Sequence, residues 1–212
     1  MNYGKMFEDS FEYTKNAVWG KWIKWLLLIV FCIIFPLILG YMMEIMRRRE
    51  PAPELENLEK FFVDGIKLFL VMIIYAIPLI ILILLIIGGS LIFHINPILF
   101  LSSMSFGFLL IFFVTIGIGI FATTAFVKMA RTGNIQEAFN FSAIWGRINK
   151  IGVLNYIVAI FLLFVTLSVI YIIISLIPAI GSLLNFIFAP LYGIFMARYI
   201  TLLYDSPLHD NF

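Results

Sequence analysis

Side chains suited to acid–base or metal chemistry are few in this chain and far apart. It carries 2 histidines, His94 and His209, and 1 cysteine, Cys32. A zinc or hydrolytic centre needs several such groups at set spacings, as in His-Glu-x-x-His or Gly-x-Ser-x-Gly, and neither pattern occurs. No Walker-type glycine loop is present. Gly117-Ile118-Gly119 reads as a small-residue pair on a helix, which admits a neighbouring helix more readily than it cradles a phosphate. The expectation is no catalytic residue, no metal and no cofactor.

Ionisable groups inside a membrane are the next place to look, because a charge at mid-bilayer costs at least ~2.5 kcal/mol. Here none is central. Glu44 and Arg198 fall near the ends of apolar segments, where they can snorkel or pair with each other. His94, Asn155 and Asn185 complete the candidate membrane-edge polar sites, and the two asparagines support a transport pathway only if they line one cavity. Other intramembrane hydroxyls, such as Ser105, Thr123 and Thr166, are expected to bond between helices or back along their own.

The frame that positions these groups follows from composition. Of 212 residues, 63% are hydrophobic and 12% charged, with mean hydropathy +1.10, whereas soluble domains carry roughly a quarter charged residues. Residues 25–43, 68–127 and 151–197 contain no Asp, Glu, Lys or Arg. Crossing a ~30 Å hydrocarbon core takes about 20 apolar helical residues, and lipid offers no partner to an unpaired peptide group. The runs lack the alternation of a barrel. The fold class is therefore all-α, a polytopic helical membrane protein forming one membrane domain over 1–212. Breaks at Gly88-Gly89-Ser90, His94-Ile95-Asn96-Pro97 and Pro178-Ala179-Ile180-Gly181-Ser182 predict five segments at about 23–46, 67–93, 98–127, 151–177 and 183–204.

Three amphipathic stretches flank them. Residues 3–18 place Tyr3, Phe7, Phe11 and Thr14 or Val18 at helical spacing, a face for the headgroup boundary or for the protein's own loops. Residues 54–64 follow Pro51 and Pro53, which stop any preceding helix. Residues 134–146 put Ile135, Ala138, Phe139, Ser142 and Trp145 on one face after the Gly133-Asn134 cap. The lead is too polar and its apolar run too long for a cleavable signal peptide, so it is expected to stay attached.

An octet recurs. Ala17-Val18-Trp19-Gly20-Lys21-Trp22-Ile23-Lys24 returns as Ala143-Ile144-Trp145-Gly146-Arg147-Ile148-Asn149-Lys150, each copy ahead of an apolar segment, as a decayed internal repeat would have it. A tryptophan at the headgroup level with a cation beside it sets segment depth. Trp19, Lys21, Lys24, Trp145, Arg147 and Lys150 are thus candidate interface anchors.

Sidedness follows from the basic residues. With five crossings, 4 of them (Lys5, Lys15, Lys21 and Lys24) lie on one side and 10 on the other, and the richer side is cytoplasmic. This favoured arrangement puts the C-terminus and loops 44–67 and 128–150 in the cytoplasm of a multi-pass plasma-membrane protein. In the alternative, segment 23–46 bends near Pro36 and returns, and every charge lies on one face.

Several short motifs resemble an uncharacterised, largely archaeal, prokaryotic family of integral membrane proteins known as a domain of unknown function. They are the Gly40-Tyr41 exit before the arginines, the Pro53-Glu54 turn, Phe62-Val63-Asp64-Gly65-Ile66-Lys67, Tyr75 with Pro78, and Gly133 leading to Ala138-Phe139. Members usually show Leu-Pro-Glu at the turn, where this chain has Ala52-Pro53-Glu54. The resemblance implies an all-helical fold with interfacial helices, and it carries no activity. The leading functional expectation is a non-enzymatic protein that organises lipid or a membrane partner, with no nucleic acid involved. The alternative is a small transporter or channel-like permease built on the repeat.

Overall fold

A computed structural model of the chain describes residues 1–48, 50–92 and 97–206. Among them are eight α-helices and one 3-10 turn, and no strand. The helices are α1 (Tyr3–Val18), α2 (Trp22–Ile33), α3 (Phe35–Met46), α4 (Leu58–Ile92), α5 (Pro97–Thr132), α6 (Phe141–Ile151), α7 (Val153–Ser175) and α8 (Gly181–Asp205), with the 3-10 turn at Ile135–Phe139. Four of them, α4, α5, α7 and α8, are long and apolar enough to cross a membrane. At ~1.5 Å per residue, the 23 residues of α7 already exceed ~30 Å.

Three expected elements differ from the structure. The separate helix at 54–64 is absent: residues 51–57 form a loop, and α4 begins at Leu58 and runs unbroken through Asp64-Gly65. Gly88-Gly89, read as a break inside the segment at 67–93, stays helical, and α4 ends at Ile92, within a residue of that segment's expected end. In hydrocarbon a helix must satisfy its own peptide groups, so a glycine pair that would punctuate a soluble chain stays helical. The stretch 134–146 divides at Asn140, whose side chain caps α6 by accepting from Ala143 N at 3.2 Å.

The first apolar segment is likewise not one helix. It splits at Ile34 into α2 and α3, of 12 residues each, about 18 Å long and too short to cross singly. Pro36 in the first turn of α3 explains the break. It has no N–H to give, and its ring would clash with the carbonyl four residues back. Beyond the break α3 runs antiparallel to the start of α4, with Pro36 beside Gly65 and Gly40 beside Phe61. A Cβ on Gly40 would sit 1.8 Å from the Phe61 carbonyl oxygen, and one on Gly65 would sit 1.7 Å from that of Pro36. The two backbones touch because both positions lack a side chain.

Helix α1 packs on α8 through Phe7, whose ring lies 4.8 Å from Tyr199 and 5.9 Å from Phe195. Its buried face is Met6, Ser10, Tyr13, Thr14, Ala17 and Val18, one position round from the expected aromatic face, and Phe11 is 65% exposed. The expected loop-packed alternative is also amended, because the partner is a long apolar helix. Gly20, at φ +73°, then turns the chain through 104° into α2.

The buried core collects at one end of the molecule. It draws on Tyr41, Met43 and Ile45 of α3, Leu68 and Val71 of α4, Val127 and Met129 of α5, Ile144 and Ile148 of α6, and Ala197 and Tyr199 of α8. Toward the other end α4 and α5 expose large apolar side chains, among them Leu84, Leu85, Phe108 and Phe112.

The glycine contact yields a direct expectation. Gly40→Ala and Gly65→Ala push a methyl into rigid backbone and should each destabilise by about 3 kcal/mol or more. Gly117→Ala, which meets open space, should be neutral or slightly stabilising through helix propensity. Thermal unfolding in detergent checks the contrast, and equal melting temperatures for the three variants would contradict it.

Candidate functional site

Where α3 meets α4 and α5, a partly buried guanidinium is held among acids. Arg47 bonds Glu44 through Nη1, reaches Asp64 Oδ2 through Nη2 at 2.7 Å, and donates from Nε to the Ala130 carbonyl at 2.9 Å. Glu44 and Asp64 are buried, and each takes a lysine as well, Lys60 at 3.0 Å and Lys67 at 3.4 Å. Such a seam tolerates burial only while every member is paired.

A second cluster ties distant parts of the chain together. Arg198 of α8 donates from Nε to Asp9 of α1 at 2.8 Å, pairs with Glu50 at 2.6 Å, and lies over the Tyr13 ring at 4.7 Å. Arg131 pairs with Asp205 at 2.6 Å and donates to the Met46 carbonyl at 3.1 Å. Arg147 donates from Nε to the Tyr204 carbonyl at 2.8 Å, its guanidinium over that residue's ring at 4.9 Å. Lys128 closes on Glu137 at 2.5 Å. The expected Glu44–Arg198 pair is therefore replaced by separate partners for each.

These pairs also bring the lead and the first long loop together. Asp9 shares Arg198 with Glu50, and Lys21 and Lys24 hold Glu54 at 2.9 and 3.2 Å. The lead thus lies beside loop 44–67, whereas five crossings would set them a ~30 Å hydrocarbon core apart. Within the structure α2 folds back on α3, so that Phe31 of one and Tyr41 of the other both meet the Phe61 ring, at 6.4 and 5.8 Å.

The remaining sites fall in different places. Tyr3 Oη donates to Asn155 Oδ1 at 3.2 Å near the start of α7. Asn185 donates to Tyr171 O at 3.2 Å and Ser175 Oγ at 2.8 Å near its end, and accepts from Tyr192 Oη at 3.0 Å. The asparagines sit at opposite ends of α7, so the shared cavity that a transport pathway needs does not form from them. His94 lies outside the described residues. Of the anchors, Trp19 is 70% exposed, Trp145 stacks on Phe121 at 5.9 Å, and Lys150 is exposed. The two octets differ in backbone: Ala17–Lys24 turns at Gly20 between two helices, while Ala143–Lys150 lies wholly within α6.

Two hollows of about 450 Å³ flank these clusters. One, between α1, α7 and α8, exposes mainly apolar surface from Phe7, Phe11, Leu167, Ile170, Leu191 and Phe195, with Glu8, Thr14, Thr166 and Tyr192 also in its lining. The other lies at the start of α2, among Lys21, Trp22, Lys24, Glu54 and Leu55. Hydrogen bonding by Lys21, with the nearby Lys24 charge adding and partial burial opposing, holds the Glu54 carboxyl below the usual carboxylate range.

The family model described as "Protein of unknown function (DUF4013)" matches residues 25–179. The chain belongs to this family. No curated protein and no solved structure matches it. Several residues that carry the family resemblance make the α3–α4 junction and its surroundings: Gly40 and Gly65 at the backbone contact, Asp64 on Arg47, and Tyr75, whose hydroxyl donates to the Ala138 carbonyl at 2.6 Å and whose ring stacks on Phe139 at 5.8 Å. The matched stretch holds Arg47 and Glu54 but neither Asp9 nor Arg198. Sequence reading did not single out Asp9, Arg47, Glu50, Glu54 and Asp64: the partners of Asp9, Glu50 and Glu54 lie far along the chain, and the i,i+3 pairs Glu44–Arg47 and Asp64–Lys67 are local marks that do not reveal the Arg47–Asp64 link between helices.

Arg47→Met should leave Glu44 and Asp64 buried without their shared partner and destabilise by about 3–5 kcal/mol. Lys67→Met, removing a partly exposed cation, should cost under about 1 kcal/mol. Denaturant unfolding in mixed micelles distinguishes the two, and similar losses would contradict the seam's role.

Proposed function

We propose that this protein is a non-enzymatic, multi-pass component of the cell membrane that organises lipid around the junction of α1, α7 and α8. The observation that carries the reading is the apolar hollow there. It has the size of a small-molecule site, and two of the helices forming it are long and apolar enough to cross a bilayer. An acyl chain is the occupant whose chemistry fits, because lipid is the phase against which such helices stand and the lining offers few polar groups to a hydrated ligand.

Sidedness supports the same picture. All basic residues belong to the lead, the two long loops, the start of α2 and the ends of the long helices, and the sequence of the opposite turns holds none. The positive-inside rule assigns that shared face, N-terminus included, to the cytoplasm. The transporter alternative, built on the internal repeat, needed Asn155 and Asn185 to line one cavity, and they lie apart.

Two measurements test this reading. Leu191→Trp, which fills the hollow, should reduce the phospholipid retained per protein through purification, counted by phosphate assay and mass spectrometry. Unchanged retention would reject the hollow as a lipid site. Reporters fused at residue 1 and inserted in loop 51–57 should report the same, cytoplasmic, side; opposite sides would reject the returning hairpin.

A further inference from the structure

The hollow at the start of α2 has features that stability does not explain. Lys24 is only 7% exposed, and its Nζ is shut off from solvent. Glu54 Oε2 stands at ion-pair distance, 3.2 Å, yet no acceptor meets Nζ in hydrogen-bond geometry. A buried ammonium with open donors is costly. Lys21 Nζ reaches the other oxygen of the same carboxylate at 2.9 Å, so one Glu54 serves two cations and leaves the hollow a net positive charge. The first-turn amides of α2 add to this, since they have no intrahelical acceptor and the preceding side chain does not cap them.

We propose that this hollow is a binding site for the phosphate of an anionic phospholipid, and that Glu54 occupies it as an internal stand-in for that phosphate. A phosphate presents more oxygens than a carboxylate and could meet both ammonium groups and the helix N-terminus together. Glu54 is 54% exposed and belongs to a loop rather than a helix, so it can yield its place to water. The surroundings suit a lipid better than a free anion. Trp19 and Trp22 stand exposed at the rim, where indole favours the headgroup level, and Ile23, Leu26, Leu27 and Val30 continue along α2 as an outward apolar strip for the acyl chains.

The proposal rests on the lipid-organising reading for its setting, but its residues are different from those of the acyl hollow. Full-length protein in neutral detergent is titrated with dansyl-phosphatidylglycerol or dansyl-phosphatidylcholine, with binding read as energy transfer from tryptophan. Wild type should prefer the anionic lipid by about tenfold, a preference that weakens with salt. Lys21→Gln with Lys24→Gln should abolish it, and Glu54→Gln should strengthen anionic binding several-fold, a gain that misfolding cannot imitate. Equal affinity of wild type for both lipids, or no gain in Glu54→Gln, would overturn the headgroup site. Displacement by millimolar inorganic phosphate at the same potency would overturn the lipid as its ligand. Leu191→Trp separates the two readings: it should lower total lipid retention while leaving the anionic preference intact. Loss of the preference in wild type alongside normal retention would reject the headgroup site alone.

Discussion

The backbone contact between α3 and α4 is the constraint on which the rest of the arrangement depends. Helices in lipid gain little from hiding apolar surface from one another, so close packing and polar pairing must hold them. Gly40 and Gly65 allow the α3 chain to touch the α4 chain at Phe61 and Pro36, an approach that no other residue type permits. That approach fixes the return of the first apolar segment. It also brings Glu44 next to Lys60 and Arg47 next to Asp64, pairs that a wider separation would leave apart.

The return of α2 and α3 has an electrostatic consequence. With the lead beside the long loops, many of the charges find partners in one region, and α4, α5 and α7 expose long runs of apolar side chains. Burial and pairing therefore concentrate at one end of the molecule and lipid-facing surface at the other. Buried pairs of this kind contribute little net stability compared with an apolar core. Their effect is to make one arrangement unique, because any register other than the observed one strands Asp64 or Glu44 without a cation.

What the sequence revealed and what it concealed divide along the range of the physics involved. The extents of α5, α7 and α8 were legible because eighteen or more uncharged apolar residues are a local property, and the break before Gly181 announced itself through Pro178. The unbroken course of α4 through Gly88-Gly89 was not, since turn preferences drawn from water fail where the solvent offers the backbone nothing. The fold-back of α2 on α3 had one local mark: Pro36 showed where the segment could bend, but the reason it does bend lies in glycines 25 residues apart. The candidate sites fared similarly. Lys21 and Lys24 stood out beside their tryptophans, while Glu54, which both of them hold, had only an acidic stretch after two prolines to recommend it. Arg198 was marked as unusual, yet its partner Asp9 is 189 positions away. The octets show the converse hazard, for Gly20 takes a left-handed turn and Gly146 stays helical within closely similar letters.

Arg47 and Lys24 frame the remaining question, because both are cations removed from water. Every nitrogen of the Arg47 guanidinium has an acceptor, which makes it a closed structural element: α3, α4 and α5 are joined through it. Lys24 is arranged otherwise. Its ammonium bears three donors, shares one carboxylate with Lys21, and lies beside a helix whose outer face is bare apolar surface. If stability alone shaped that position, an aliphatic side chain of the same length would serve as well or better, since the desolvation of a lone ammonium is not recovered from a single imperfect pair. In the proposed site the headgroup of an anionic lipid would supply the acceptors that the fold leaves out, with Glu54 displaced to water, where a carboxylate is at ease.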